Sequence, residues 1–282
     1  MMIQLLKGYW RGFIGGPDFN NQHTLHFILE DQQLSINLPQ TNVVSVEPPR
    51  PVNFPYKSKD WFDSHKKQQQ HNSWVHINTM LWMYLPVISF SPGSEYGMLS
   101  CSLWVKRIPA TANITPYNRE ELARFVIDEY DNFHNGEIDE SLGAGINTQI
   151  KKDFEKQSAA MASPFTGDDF IKYLNMDIAS RGHPPIPPAR IVSFNNIQWV
   201  FYQEVRTNSL SRKDYYCLPL DEQHYLVCRF NHRVSLSNKH KKWRDHALAS
   251  QLQIMNSITL TPVEKTSATS GNLLESNATQ AQ

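Results

Sequence analysis

Cys217, His224 and Cys228 come closest, by type and spacing, to a reactive centre. His224 and Cys228 lie four residues apart in a stretch that reads as a strand, so even spacing places both on one face. If Cys217 joined them from the paired strand, two thiolates and an imidazole would form a Cys-His-Cys metal set. The competing reading, which we expect to hold, is that cysteines inside strands are small hydrophobes packed in a core. Other chemical patterns are fragments. Gly93-Ser94-Glu95-Tyr96-Gly97 has its glycines at the wrong distances for a nucleophile elbow. Ser64-His65-Lys66-Lys67 fits Ser-x-x-Lys by letter only, and Gly143-Ala144-Gly145 lacks the third glycine and preceding strand of a dinucleotide loop. No cofactor is therefore expected.

Residues suited to recognition are more plentiful. The chain holds 7 tryptophans and 11 tyrosines, residue types favoured where binding energy concentrates. Trp74, Trp82 and Tyr84 alternate along one apparent strand and are candidates for contact with a partner. Charge is uneven: residues 111–189 carry 7 Lys and Arg against 13 Asp and Glu. Glu120, Asp128, Glu129 and Asp131 sit there on an amphipathic helix. A solvated outer face explains them blandly; a docking surface for a basic protein is the sharper alternative.

The elements positioning these residues follow from pattern. Of the 282 residues, 40% are hydrophobic, which excludes a disordered chain. No apolar run approaches the roughly 18 residues of a membrane helix. The formal net charge of zero gives no electrostatic reason to expect nucleic acid or an anionic membrane as partner. Lys7 and Arg11 interrupt the first apolar stretch and the 3 cysteines are an odd number, so a cytoplasmic setting is expected.

Residues 24–30 and 34–38 read as a hairpin, followed by a proline-dense crossing at Pro48, Pro49, Pro51 and Pro55. Residues 74–85 and 98–108 read as a strand pair. In the first, Val75, Ile77, Leu81, Met83 and Leu85 fall on one face and Trp74, His76, Met80, Trp82 and Tyr84 on the other. Asn118 with Glu121 forms a capping box ahead of a helix that Gly136 stops, and two more helices follow at 147–161 and after Thr166. Four antiparallel strands between 191 and 234 and a helix over 241–258 complete the chain. Residues 263–282, rich in Ser, Thr, Asn, Ala and Gln, are expected to be a disordered tail.

The order in the last third, Tyr225-Leu226-Val227-Cys228-Arg229-Phe230 leading to a helix with Trp243 and an exit through Ile254-Met255-Asn256-Ser257-Ile258-Thr259-Leu260, resembles the C-terminal end of Mog1/PsbP-like α/β/α-sandwich domains. The resemblance spans roughly residues 190–262 and implies a binding or adaptor role. Together these readings give an α+β fold of antiparallel sheets with helices packed on one side. They divide it into a β-rich part (1–110), an acidic helical segment (111–189) and a meander with a long helix (190–262), in one or two closely packed subdomains meeting near residue 110. The expected function is non-enzymatic binding of another, basic, protein, as an immunity or adaptor protein does. The alternative is a hydrolase or metal-dependent enzyme built around Cys217, His224 and Cys228.

Overall fold

A computed structural model describes residues 11–43, 52–69, 72–88, 95–141, 143–206, 211–234 and 241–263. Pro48, Pro49, Pro51, the first two residues of Gly93–Gly97 and the tail after Val263 lie outside them.

Alternation of apolar and polar residues dictates an eight-stranded sheet. Its elements are β1 (Ile14–Gly15), β5 (Lys67–Gln69), β6 (Asn72–Leu85), β7 (Gly97–Arg107), β8 (Arg190–Phe194), β9 (Ile197–Arg206), β10 (Ser211–Pro219) and β11 (His224–Val234). The order is β1-β6-β7-β11-β10-β9-β8, with β5 paired to β6, and every neighbour is antiparallel. β7 pairs with β11 from Arg107↔His224 to Gly97↔Val234, so the two β-rich flanks of the chain share one sheet. A smaller sheet, order β12-β3-β2-β4, joins β2 (Gln22–Leu29), β3 (Gln32–Pro39) and β4 (Asn53–Phe54) to β12 (Thr259–Pro262). The β2–β3 hairpin turns through Glu30 and Asp31, with Glu30 at φ 58.

The faces of β6 differ from simple alternation. Register steps between His76 and Asn78, leaving Ile77 as an extra residue. One inserted residue reverses every side chain beyond it. Val75 and Ile77 therefore share the core face with Trp82 and Tyr84, while Trp74 and His76 point to the other face.

That core is closed by the small sheet, by α1 (Lys59–His65) and by α5 (Lys241–Ser257), whose Trp243, Ala247, Ile254 and Met255 pack on Leu99, Cys101, Leu226 and Phe230. The opposite face carries α2 (Arg119–Asn135), which places Leu122 and Val126 against Val200, Cys217, Tyr225 and Val227. α3 (Ile146–Ala159) packs on α2, and α4 (Gly167–Arg181) packs on α3. The fold is α+β with antiparallel sheets, apart from the short parallel β2–β4 pair. The helices of the acidic segment lie on one face as the pattern implies, and the C-terminal helix covers the other because its apolar arc meets the larger core.

Candidate partner-binding surface

α2 starts where Asn118 accepts hydrogen bonds from the backbone N–H groups of Glu120 and Glu121, at 3.2 and 3.3 Å. The Glu121 carboxylate does not return the bond to the Asn118 backbone; it accepts from Thr115 N at 2.8 Å and from the Asn118 side chain at 2.9 Å. The cap thus ties the helix start to the incoming loop. So anchored, α2 roofs a cleft of about 460 Å³ over the sheet. Trp74 and Trp104 are half-buried in its wall, diagonal neighbours across the β6–β7 pair. The Arg229 guanidinium lies 4.3 Å over the Trp104 ring, and Tyr202 and Tyr215 stack at 4.5 Å beside them.

Most of the cleft's charges are paired with one another, Arg229 over the Trp104 ring being the exception. Lys106 Nζ donates to both Glu129 oxygens, at 2.7 and 2.6 Å, bridging sheet and roof. Glu204, almost wholly buried, accepts from Lys213 Nζ at 2.8 Å, from Arg206 Nε at 3.3 Å and contacts His183 Nδ1 at 2.8 Å. Burial works against its charge, but His183 and Lys213 more than compensate and hold its pKa at about 2. His134 stacks on His183 at 3.6 Å; burial first, then the neighbouring His183, pushes its pKa down to about 3.

Farther out, the helical layer exposes apolar surface. Phe154 of α3 receives Phe165 and Phe170 at 5.9 and 5.1 Å, and Phe165 in turn meets Tyr173 at 4.6 Å. These ring contacts help dock α4, which has no fully buried residue. Ile171 and Met176 are 57% and 58% exposed, Tyr173 is also exposed, and Asp168 and Asp169 stand on the first turn. Phe170, Leu174 and Ile178 form the stripe that meets α3; Ile171 and Met176 lie off it. Sequence reasoning passed over this surface, although apolar residues on several sides of one short helix were the available signal.

The residues singled out from sequence are distributed as follows. Glu129 and Trp74 meet at the cleft. Glu120, Asp128 and Asp131 are exposed on one face of α2, a face they share with Arg124. Trp82 and Tyr84 are corrected: both are inaccessible in the core, Trp82 Nε1 donating to the Pro39 and Gln40 carbonyls and Tyr84 packing on Trp243 at 4.9 Å. The bulge at Ile77 is the reason.

The Cys-His-Cys set does not assemble either. Cys217 pairs across the ladder with Val227, so it shares that residue's face and points away from Cys228. Cys228 meets Cys101 instead, Sγ to Sγ at 3.8 Å, and burial pushes the Cys217 and Cys228 thiols up. His224 turns to Asp221, its Nδ1 lying 3.0 and 3.1 Å from the two carboxylate oxygens. Among the described residues no group of three or more His, Cys, Asp or Glu side chains is placed to hold a metal ion. No helix among them is long and apolar enough to cross a membrane.

No family model and no curated protein matches the chain. Among solved structures, the crystal structure of LpqN, involved in cell envelope biogenesis of Mycobacterium tuberculosis, aligns over 73% of this chain and 97% of its own, at 6% identity and a TM-score of 0.26. At that score the likeness bears on neither fold nor function. None of the comparisons bears on the resemblance of residues 190–262 to Mog1/PsbP-like domains.

Proposed function

We propose that this protein works by binding another protein, in the manner of a cytoplasmic immunity or adaptor protein, and that the partner is basic and docks on α4 and the adjoining helical layer. The observation that carries the reading is α4 itself: a 15-residue helix with no fully buried residue that exposes Ile171, Tyr173 and Met176 behind an acidic first turn. Isolated helices of this length are marginal in water, so α4 depends on packing that α3 supplies along one stripe. Large exposed apolar side chains rimmed by charge mark interaction surfaces, and aromatic residues and methionine are enriched in them. The acidic excess of residues 111–189 favours a basic partner.

The test is affinity capture from lysate of the source cells, using the full chain as bait beside an Ile171→Asp/Met176→Asp variant. The wild-type protein is expected to retain a stoichiometric protein with a basic surface, released by salt, and the variant to lose it while keeping its thermal stability. Identical capture by both baits would overturn the assignment of this surface.

A further inference from the structure

The cleft under α2 holds one cation that no carboxylate answers among the described residues. Ladder pairing sets Tyr202, Tyr215 and Arg229 directly side by side across β9, β10 and β11, so all three point to the α2 face and line the cleft. Glu129 meets Lys106 at 2.6 Å, and Glu204 meets Lys213 and Arg206 at 2.8 and 3.3 Å. Arg229, half-buried in the floor, makes no ion pair. Its neighbours are the Trp104 ring, 4.3 Å away, and the Tyr215 hydroxyl, both neutral.

A partly desolvated cation without a counter-ion costs stability, and an anion entering the cleft removes that cost. The Arg229 Nε is sealed and has no hydrogen-bond partner among the described residues, so a ligand reaches the guanidinium only through its terminal nitrogens. That planar fork matches the two oxygens of a carboxylate. The rest of the lining sets the other half of the ligand. Trp74, Trp104, Tyr130, Phe133 and the stacked Tyr202–Tyr215 pair surround the space with flat rings, whose faces and edges suit another ring. With Lys106 and Lys213 already engaged, the lining leaves a single free cation, which suits one negative charge rather than the two of a phosphate ester.

We propose that the cleft binds a small aromatic carboxylate, whose carboxylate pairs with the Arg229 guanidinium and whose ring packs against Trp74 and Trp104. The cleft volume, about 460 Å³, lies inside the range of about 300–1,000 Å³ usual for small-molecule sites. Its lining takes no residue from α3 or α4, so this site is separate from the protein-binding surface and neither reading rests on the other.

Calorimetric titration of the full chain with indole-3-acetate, indole-3-acetamide and acetate tests the proposal. Indole-3-acetate is expected to bind, with an affinity that falls as salt is added. The neutral amide should bind about tenfold more weakly, and acetate more weakly still, since each keeps only half of the ligand. Arg229→Gln should bring indole-3-acetate down to the affinity of the amide and leave the amide unchanged. Trp74→Ala, on the half-open wall, should weaken acid and amide alike. No binding of indole-3-acetate at about 10 mM, far above ordinary metabolite affinities, would overturn the proposal. Equal affinity of the wild-type protein for acid and amide, or undiminished binding by Trp74→Ala, would do so too, and these two comparisons keep the test decisive if Arg229→Gln fails to fold. The titration contains no partner protein, so its failure would leave the reading of α4 standing.

Discussion

Replacing Glu204 by glutamine removes one charge from the floor of the cleft while keeping the side chain's size. The native carboxylate is 2% exposed and faces Lys213, Arg206 and His183. Its pKa falls from the ordinary 4.5 to about 2, against the opposing pull of burial. A drop of that size corresponds to a stabilisation on the order of 3 kcal/mol, at 1.36 kcal/mol per pH unit. Glu204→Gln forfeits this and leaves Lys213 and Arg206 facing a neutral amide, so a loss of about 3 kcal/mol at pH 7 is expected from urea unfolding. Because the folded carboxyl titrates below the unfolded one, its contribution is complete above about 4.5 and disappears as pH falls toward 2. The gap between wild type and variant should therefore shrink to roughly half by pH 3. A variant within about 0.5 kcal/mol of wild type at pH 7, or a gap unchanged at pH 3, would refute the cation-held carboxylate.

Other substitutions probe the frame. Trp82→Ala should cost about 3–5 kcal/mol in urea unfolding because the ring is fully buried, whereas Trp74→Ala on the half-open cleft wall should cost under about 1 kcal/mol; equal losses would contradict the bulge at Ile77. A methyl group on Gly97 would overlap the Arg233 carbonyl and the Trp243 ring, so Gly97→Ala should destabilise by about 1–3 kcal/mol, measured by thermal melting against wild type. All 3 cysteines are free and buried, so a thiol reagent should label none in the native protein and all after denaturation; native labelling of Cys217 would show that α2 opens readily.

Features set by neighbours in the chain could be read without the fold. Asn118 and Gly136 bracket α2, the β2–β3 hairpin follows its alternation, and the β8–β11 meander follows its turns, because the interactions deciding each span a few residues. What escaped depends on long-range register. No glycine or proline marks Ile77 as an extra residue, yet it alone decides that Trp82 is core and Trp74 is surface. The parity of Cys217 relative to Cys228 depends on how the β10–β11 loop closes, with Pro219 opposite Tyr225, and not on the spacing of either cysteine. Asp221 builds the β10–β11 turn by accepting from Gln223 N at 2.7 Å, and its second role on His224 exists only once that turn is built.

Amide hydrogen exchange across α4 tests the binding account most directly. In the free protein, amides of Gly167–Arg181 should exchange quickly, because no residue of this helix is fully buried. Once the captured partner is added, protection should rise over this segment above all others and fade as salt is raised. Unchanged exchange there, with protection appearing on α5 or the small sheet instead, would contradict it.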